Sequence, residues 1–449
     1  MIIRLWSVGV VAALSATTAL ADSAEVVAAQ IAARETGTER DHLTGDWGGV
    51  RTDLVDKGIH FSAAYVGETL ANVEGGVKRG AIYEGLFEMS LSVDFERLGW
   101  LKDTSFHVSS IYPHGSSLTD GYVGDLLRLS NIDAYDSIRL YELWVERRFL
   151  SDRLSVRAGQ VAADEEFATQ EQGSLFLNSA HGWPAFISAN VINGGPGFFV
   201  PGPGARVEVA VNDTLSLRAG VFDGDTFDHA GGNPRRNRAG TRVHFSSRQG
   251  LLMLQELSWK PGGGEDWTSG SYKLGGWVHT GDFNDLHDDI SGNAAVVTGL
   301  SPKSHEGNFG VYAGAERLVW AEEKDADQGL GLFVRGGWSH PDRSYLDLVA
   351  NGGLTWTGPF AGRGEDRVGL GLIYGRVSDA VRRSERADRD LNGSAVTVSD
   401  YEAAVELTWE AVLNKWWTIQ PDVQWIIHPG GSTAVDNALV VGVRTTIVF

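Results

Sequence analysis

The sequence predicts an all-β protein: a transmembrane antiparallel β-barrel of sixteen strands, eighteen being the alternative, with long extracellular loops and short periplasmic turns. Three observations lead there. Apolar and polar residues alternate with period two over segments of about ten residues, the length a tilted strand needs to cross a bilayer. Aromatic residues stand at the ends of these segments, as in Trp417 and Trp425 or Tyr401 and Trp409, where interfacial girdles belong. Beyond the N-terminus no apolar stretch approaches the roughly 18 residues that a spanning helix requires. Among sheets, only a closed barrel satisfies every backbone group in lipid.

Residues 1–21 read as a secretory signal. Arg4 supplies the positive start, Val8–Leu14 a short apolar run, and Ala19-Leu20-Ala21 a small-x-small cleavage site. Residues 22–57 form an N-terminal periplasmic segment, helical over 24–34 and 43–57. The barrel occupies 58–449.

Strand alternation is sharpest near the C-terminus. In Tyr401–Glu410 the odd positions are Tyr401, Ala403, Val405, Leu407 and Trp409, while Glu402, Glu406, Thr408 and Glu410 lie opposite. Phe87–Phe95 sets Phe87, Met89, Leu91, Val93 and Phe95 against Glu88, Ser90, Ser92 and Asp94. Such segments recur at 59–68, 85–95, 104–112, 139–148, 154–160, 205–212, 214–222, 241–247, 251–259, 272–280, 308–317, 330–338, 348–357, 367–377, 401–410, 416–425 and 439–449. With both barrel ends in the periplasm the number must be even, so 241–259 is taken as one bulged crossing. Short turns at Asn212-Asp213, 149–153 and 411–415 then face the periplasm. Long connections at 113–138, 161–204, 281–307 and 378–400 face outward. The 161–204 segment, rich in Gly, Pro, Asn and aromatics, is the candidate to fold inward and narrow the pore. A structureless loop of that length needs a role.

Composition removes other classes. Gly is 57 of 449 residues without a three-residue period, which excludes collagen. Cys is absent, so there is no disulfide scaffold, thiol catalysis or zinc-thiolate site. The formal charge of −20 disfavours nucleic acid as a partner. No His-Glu-x-x-His and no nucleophile elbow occurs; no cofactor or metal is expected. The acidic pair Asp288-Asp289 reads as solvated surface.

An ordered series of motifs resembles the carbohydrate-selective porin (OprB) family. It begins with Leu43-Thr44-Gly45-Asp46-Trp47-Gly48-Gly49-Val50-Arg51 and continues through Arg139–Glu146, Arg157-Ala158-Gly159-Gln160 and Ala163–Phe167. Leu175–Ser179, Gly182-Trp183-Pro184, Ala219–Asp225, Tyr272–Trp277, Gln420-Pro421-Asp422 and Pro429-Gly430-Gly431 follow. The resemblance covers about 43–449 and implies a bacterial outer-membrane channel that passes sugars by facilitated diffusion. It also implies that the terminal strand, ending on Phe449, is read by the barrel-assembly machinery of a Gram-negative cell. Outer-membrane lipid and lipopolysaccharide are the expected surroundings, and a homotrimer is an expected assembly.

A sugar needs donors and acceptors for its hydroxyls and an aromatic surface for its ring face. Parity places Glu142, Trp144 and Glu146 on the inner face, with Arg157, Arg206, Glu208, Arg218, Lys273, Glu316, Arg335 and Arg444 on other strands. The family-like loop motifs add Asp164, Glu165, Glu166, Trp183, Asp223 and Asp225. The expected pore-lining set is therefore Glu142, Trp144, Arg157, Asp164, Glu165, Glu166, Trp183, Arg206, Arg218, Asp223 and Asp225, with the loop carboxylates set against Arg206 and Arg218. For any one of these, the plain reading is a lumen charge paired across strands. A general or cation-preferring porin stays open as an alternative, and an outer-membrane barrel hydrolase as a distant one.

Overall fold

The computed structural model describes residues 42–449, apart from 228–233, 244–248, 264–267, 323–324 and 394–395. The period-two segments become sixteen antiparallel strands. In chain order β1 to β8 are Ile59–Glu74, Gly80–Asp94, Thr104–Gly115, Arg139–Phe149, Leu154–Val161, Gly202–Asn212, Leu215–Asp223 and Leu251–Trp259. β9 to β16 are Ser271–Asp289, Pro302–Glu322, Asp325–Ser339, Leu346–Thr357, Arg367–Val377, Tyr401–Asn414, Trp417–Ile427 and Ala438–Val448. Each pairs with its sequence neighbours, and β1 pairs with β16 to close the barrel.

Alternation sets the two faces. On β14, Glu402, Glu406 and Thr408 are buried toward the lumen while Leu407 is exposed toward lipid. On β16, Arg444 turns inward beside Glu68 of β1, and Val443 outward. The apolar exterior is thus exposed to membrane, and the buried core lies inside the barrel. There Phe167, Leu177, Phe186 and Ile187 of the β5–β6 connection pack on wall residues including Phe222, Leu252, Trp277, Tyr312 and Ile373.

Three expectations change. The crossing assigned to 241–259 reduces to β8, Leu251–Trp259. Thr241–Val243 is coil, its backbone held by Asn237, whose Oδ1 accepts from the Arg242 N–H at 3.0 Å; 244–248 lies outside the described residues. The β7–β8 connection is therefore a further long outer loop. Second, 281–307 is not an open loop. β9 and β10 extend past the membrane as a paired hairpin, with Ser304 opposite Asn284 and His305 opposite Phe283. Water wets both faces there, so no apolar alternation marks the extension. Third, Asp289 is not solvated: it is fully buried and folds the hairpin tip, accepting from the backbone N–H groups of Ser291 and Asn293 and from Thr298 Oγ1, at 2.7, 3.0 and 2.6 Å.

Before the barrel, a 3-10 turn Trp47–Gly49 and a helix Val50–Asp56 stand at the rim where the chain enters β1. The expected helix over 24–34 lies outside the described residues.

Candidate functional site

The β5–β6 connection, 162–201, runs through the barrel interior, and its course is fixed by groups that the strands aim inward. At its start the Ala162 N–H donates to Glu142 Oε1 at 3.0 Å. Glu166 then enters a network of six wall and loop charges. Arg157 donates to Glu146 Oε2 at 2.8 Å and to Glu166 Oε1 at 2.5 Å. Arg206 donates to Glu166 Oε2 and to Glu146 Oε2, each at 2.9 Å. Arg218 donates to Glu208 Oε2 at 2.9 Å and to the backbone carbonyl of Glu166. Three guanidiniums and three carboxylates cancel formally, and Trp144 covers the Arg157 guanidinium at 3.7 Å from its ring centre. Burial alone would push the Glu166 carboxyl upward, but Arg157, Arg206 and Arg218 outweigh it and hold it at about 2.

Further along, wall side chains bind the loop backbone directly. Glu256 Oε2 accepts from the Ala168 N–H at 2.8 Å, and Lys273 donates to the Thr169 carbonyl at 2.8 Å. Glu316 accepts from the Glu171 and Gln172 N–H groups at 2.8 and 3.0 Å. Arg335 donates to the carbonyls of Ala180 and His181 at 2.9 and 3.1 Å, and Glu406 accepts from the Leu177 N–H at 2.6 Å. A loop inside a barrel must place its backbone polar groups somewhere, and these inward charges receive them.

Glycines on the wall make room for the loop aromatics. A Cβ on Gly371 would lie 2.9 Å from the Phe176 ring, and one on Gly220 would lie 2.9 Å from Phe167. The glycine excess is in part this shape requirement.

What remains open is a channel of about 1450 Å³. Of the expected pore residues, Asp164, Glu165, Trp183 and Arg218 border it. Glu142, Trp144, Arg157, Glu166 and Arg206 are each at most 8 % exposed and lie between loop and wall rather than on the channel surface. Asp223 and Asp225 are buried at the outer end of β7, where Asp225 Oδ1 accepts from Asn193 Nδ2 at 2.7 Å and ties loop to wall. Glu166 therefore meets the wall arginines as the sequence suggested, whereas Asp164 Oδ2 instead accepts from the Phe198 N–H at 2.8 Å and Glu165 is exposed to the channel.

The channel also presents Tyr135, Phe198 and Phe199, together with Glu88, and Tyr141 backs this aromatic patch from a buried position. Parity missed Tyr141 because β4 bulges there. The pairing with β3 shifts between Val108 and Ser110, which turns both Tyr141 and Glu142 inward. Ten carboxylates line the channel against four Lys and Arg among the described residues, so its surface is acidic although the arginine network behind it is balanced.

The comparisons agree with this geometry. A model of the carbohydrate-selective porin, OprB family, matches residues 78–449. The chain is 30% identical to Porin B of Pseudomonas aeruginosa over 429 residues, covering 91% of each protein. It superposes on the high pH structure of Pseudomonas putida OprB with a TM-score of 0.82 at 27% identity, over 92% of this chain and 99% of that one. The outer membrane channel DcaP of Acinetobacter baumannii shares the fold, with a TM-score of 0.51 at 10% identity over 87% of this chain and 97% of that one. The chain belongs to the carbohydrate-selective porin (OprB) family and is an outer-membrane carbohydrate channel.

Proposed function

We propose that the channel passes glucose-like mono- and disaccharides into the periplasm by facilitated diffusion, with the 162–201 connection as its selective element. The observation that carries this reading is the pairing, on one channel surface, of aromatic faces with carboxylates. Tyr135, Phe198 and Phe199 offer surfaces for the C–H face of a pyranose, with Tyr141 buried behind Phe198, and Asp164 and Glu165 stand beside them. Wall arginines that would otherwise trap anions are already engaged by Glu146, Glu166 and Glu208. Binding must stay weak for the sugar to leave, which corresponds to millimolar affinity, about 4 kcal/mol. Single-channel recording tests it: glucose should reduce ion current saturably. A linear reduction, equal for glucose and for a non-sugar polyol of similar size, would make this a general diffusion pore.

A second reading concerns ions. The acidic excess on the channel surface favours cations, so the small-ion current should be cation-preferring while neutral sugar passage proceeds independently. The reversal potential in a salt gradient reads this directly. In the cell we place the barrel among lipopolysaccharide and outer-membrane lipid, as a homotrimer, inserted by the barrel-assembly machinery through Phe449.

A further inference from the structure

We propose that Asp285, His305 and Asp342 form a binding site for a divalent transition cation of the zinc type at the outer rim, clipping the β9–β10 hairpin to the β11–β12 connection. The three residues come from three segments: Asp285 from the extension of β9, His305 from that of β10, and Asp342 from the connection 340–345. His305 Nε2 lies 2.9 Å from Asp285 Oδ2 and 3.7 Å from Asp342 Oδ2, and all three atoms lie within 4.8 Å of one another. Bonds of about 2.0–2.2 Å to a tetrahedral ion put ligand atoms roughly 3.3 Å apart. The observed separations bracket that value, so an ion needs only small side-chain shifts.

The supporting contacts are those of a built site. Asp285 is buried, and its other oxygen, Oδ1, accepts from the backbone N–H groups of His287 and Asp288 at 2.9 and 2.7 Å. That fixes the carboxylate with Oδ2 turned to His305. Asp342 Oδ1 is held by Arg343 Nε at 2.6 Å and by His340 Nδ1 at 2.7 Å, and the Leu286 N–H donates to the Asp342 carbonyl at 2.8 Å. Such outer contacts orient metal ligands. Arg343 also reaches Asp342 Oδ2, at 3.1 Å. It offsets one of the two carboxylates and leaves a single net negative charge on the acidic pair.

The ligand set selects the ion. An imidazole nitrogen suits zinc, nickel or copper, whereas calcium and magnesium take oxygen donors. None of the three residues borders the channel, so the site acts on the rigidity of the outer hairpin and is separate from sugar passage.

The test is zinc titration of the chelator-stripped, detergent-solubilised channel by calorimetry, with His305→Ala and Asp285→Asn beside the unaltered protein and calcium as comparator. Expected are one saturable zinc site, affinity lowered at least tenfold in both variants, no competition from equimolar calcium, and a zinc-dependent rise in melting temperature lost with His305. Unchanged conductance and heat-modifiability certify that the variants fold. Absence of a saturable site, equal affinity in the variants, or equal competition by calcium would each overturn the assignment.

Discussion

Glu166 is the residue on which the loop's entry into the lumen depends, because its carboxylate accepts from Arg157 and Arg206 and lies 3.7 Å from Arg218. Removing one member of a buried ionic network leaves the others unpaired and costs about 3–5 kcal/mol. Glu166→Gln should therefore loosen the connection without opening the barrel: protease should cut within 162–201, while the heat-modifiable shift of the barrel persists. The same network fixes an acid response. The folded carboxyl is depressed to about 2 from an ordinary 4.5, so its stabilisation is complete above the ordinary value and is lost as pH falls from there through about 2. Protease resistance of the loop should hold at pH 5 and fall off below about pH 4; full resistance at pH 2 would detach loop stability from this residue. Asp164 runs the other way. It is only half-buried at its surface, but it lies deep in the barrel, and burial raises its carboxyl to about 6 despite the Phe198 N–H. It is neutral below that pH and charged above. Cation preference should step down as pH is lowered through about 6, and Asp164→Asn should remove the step from the reversal potential.

At the scale of elements, the infolded connection and the glycine-bearing strands are one construction. Gly371→Val would put branched carbons where Phe176 and His181 now lie. Overpacking of this kind costs about 1–3 kcal/mol, taken up by the loop because the strand is held on both edges. Conductance noise should rise and sugar block weaken; unchanged noise and block would show that the loop does not bear on this part of the wall. Deleting 168–195 should go further, raising conductance and abolishing saturable block. These elements were legible in the sequence to different degrees. The membrane-crossing parts of the strands were readable because lipid on one side and a polar lumen on the other impose period two. The extension of β9 and β10 was not, since water wets both faces there. The segment 241–247 misled in its described part, where Thr241–Val243 is coil and Val243 is exposed without belonging to a strand. For the site, parity found the wall charges, and Glu166 was placed by its motif. It could not tell charges that hold the loop from charges that face the channel, because that depends on where 162–201 runs. The inward turn of Tyr141 stayed hidden behind a bulge.

Across the whole molecule the two ends of the barrel are locked to each other at one rim, and the first family-like motif does the locking. The Leu43 N–H donates to the Val448 carbonyl and the Phe449 N–H to that of Ala63, each at 2.9 Å. Arg51, stacked on Trp47 at 4.4 Å, donates to the terminal backbone oxygen of Phe449 at 2.9 Å. Phe449 itself packs edge-on against Phe87 of β2, so the last side chain bridges the β1–β16 closure. The terminal aromatic clamps the finished barrel, and recognition during insertion is the second duty proposed for it. Arg51→Ala removes only the clamp. One hydrogen bond from a charged group is worth about 1.5–3 kcal/mol, so the temperature at which the barrel unfolds in detergent should fall by a few degrees, with insertion in cells unchanged. Deleting Phe449 removes both duties and should leave most of the chain uninserted. Equal insertion defects in the two variants would mean that closure of the rim, rather than reading of the terminal strand, limits assembly. Normal insertion without Phe449 would show that the assembly machinery does not need the terminal aromatic of this chain.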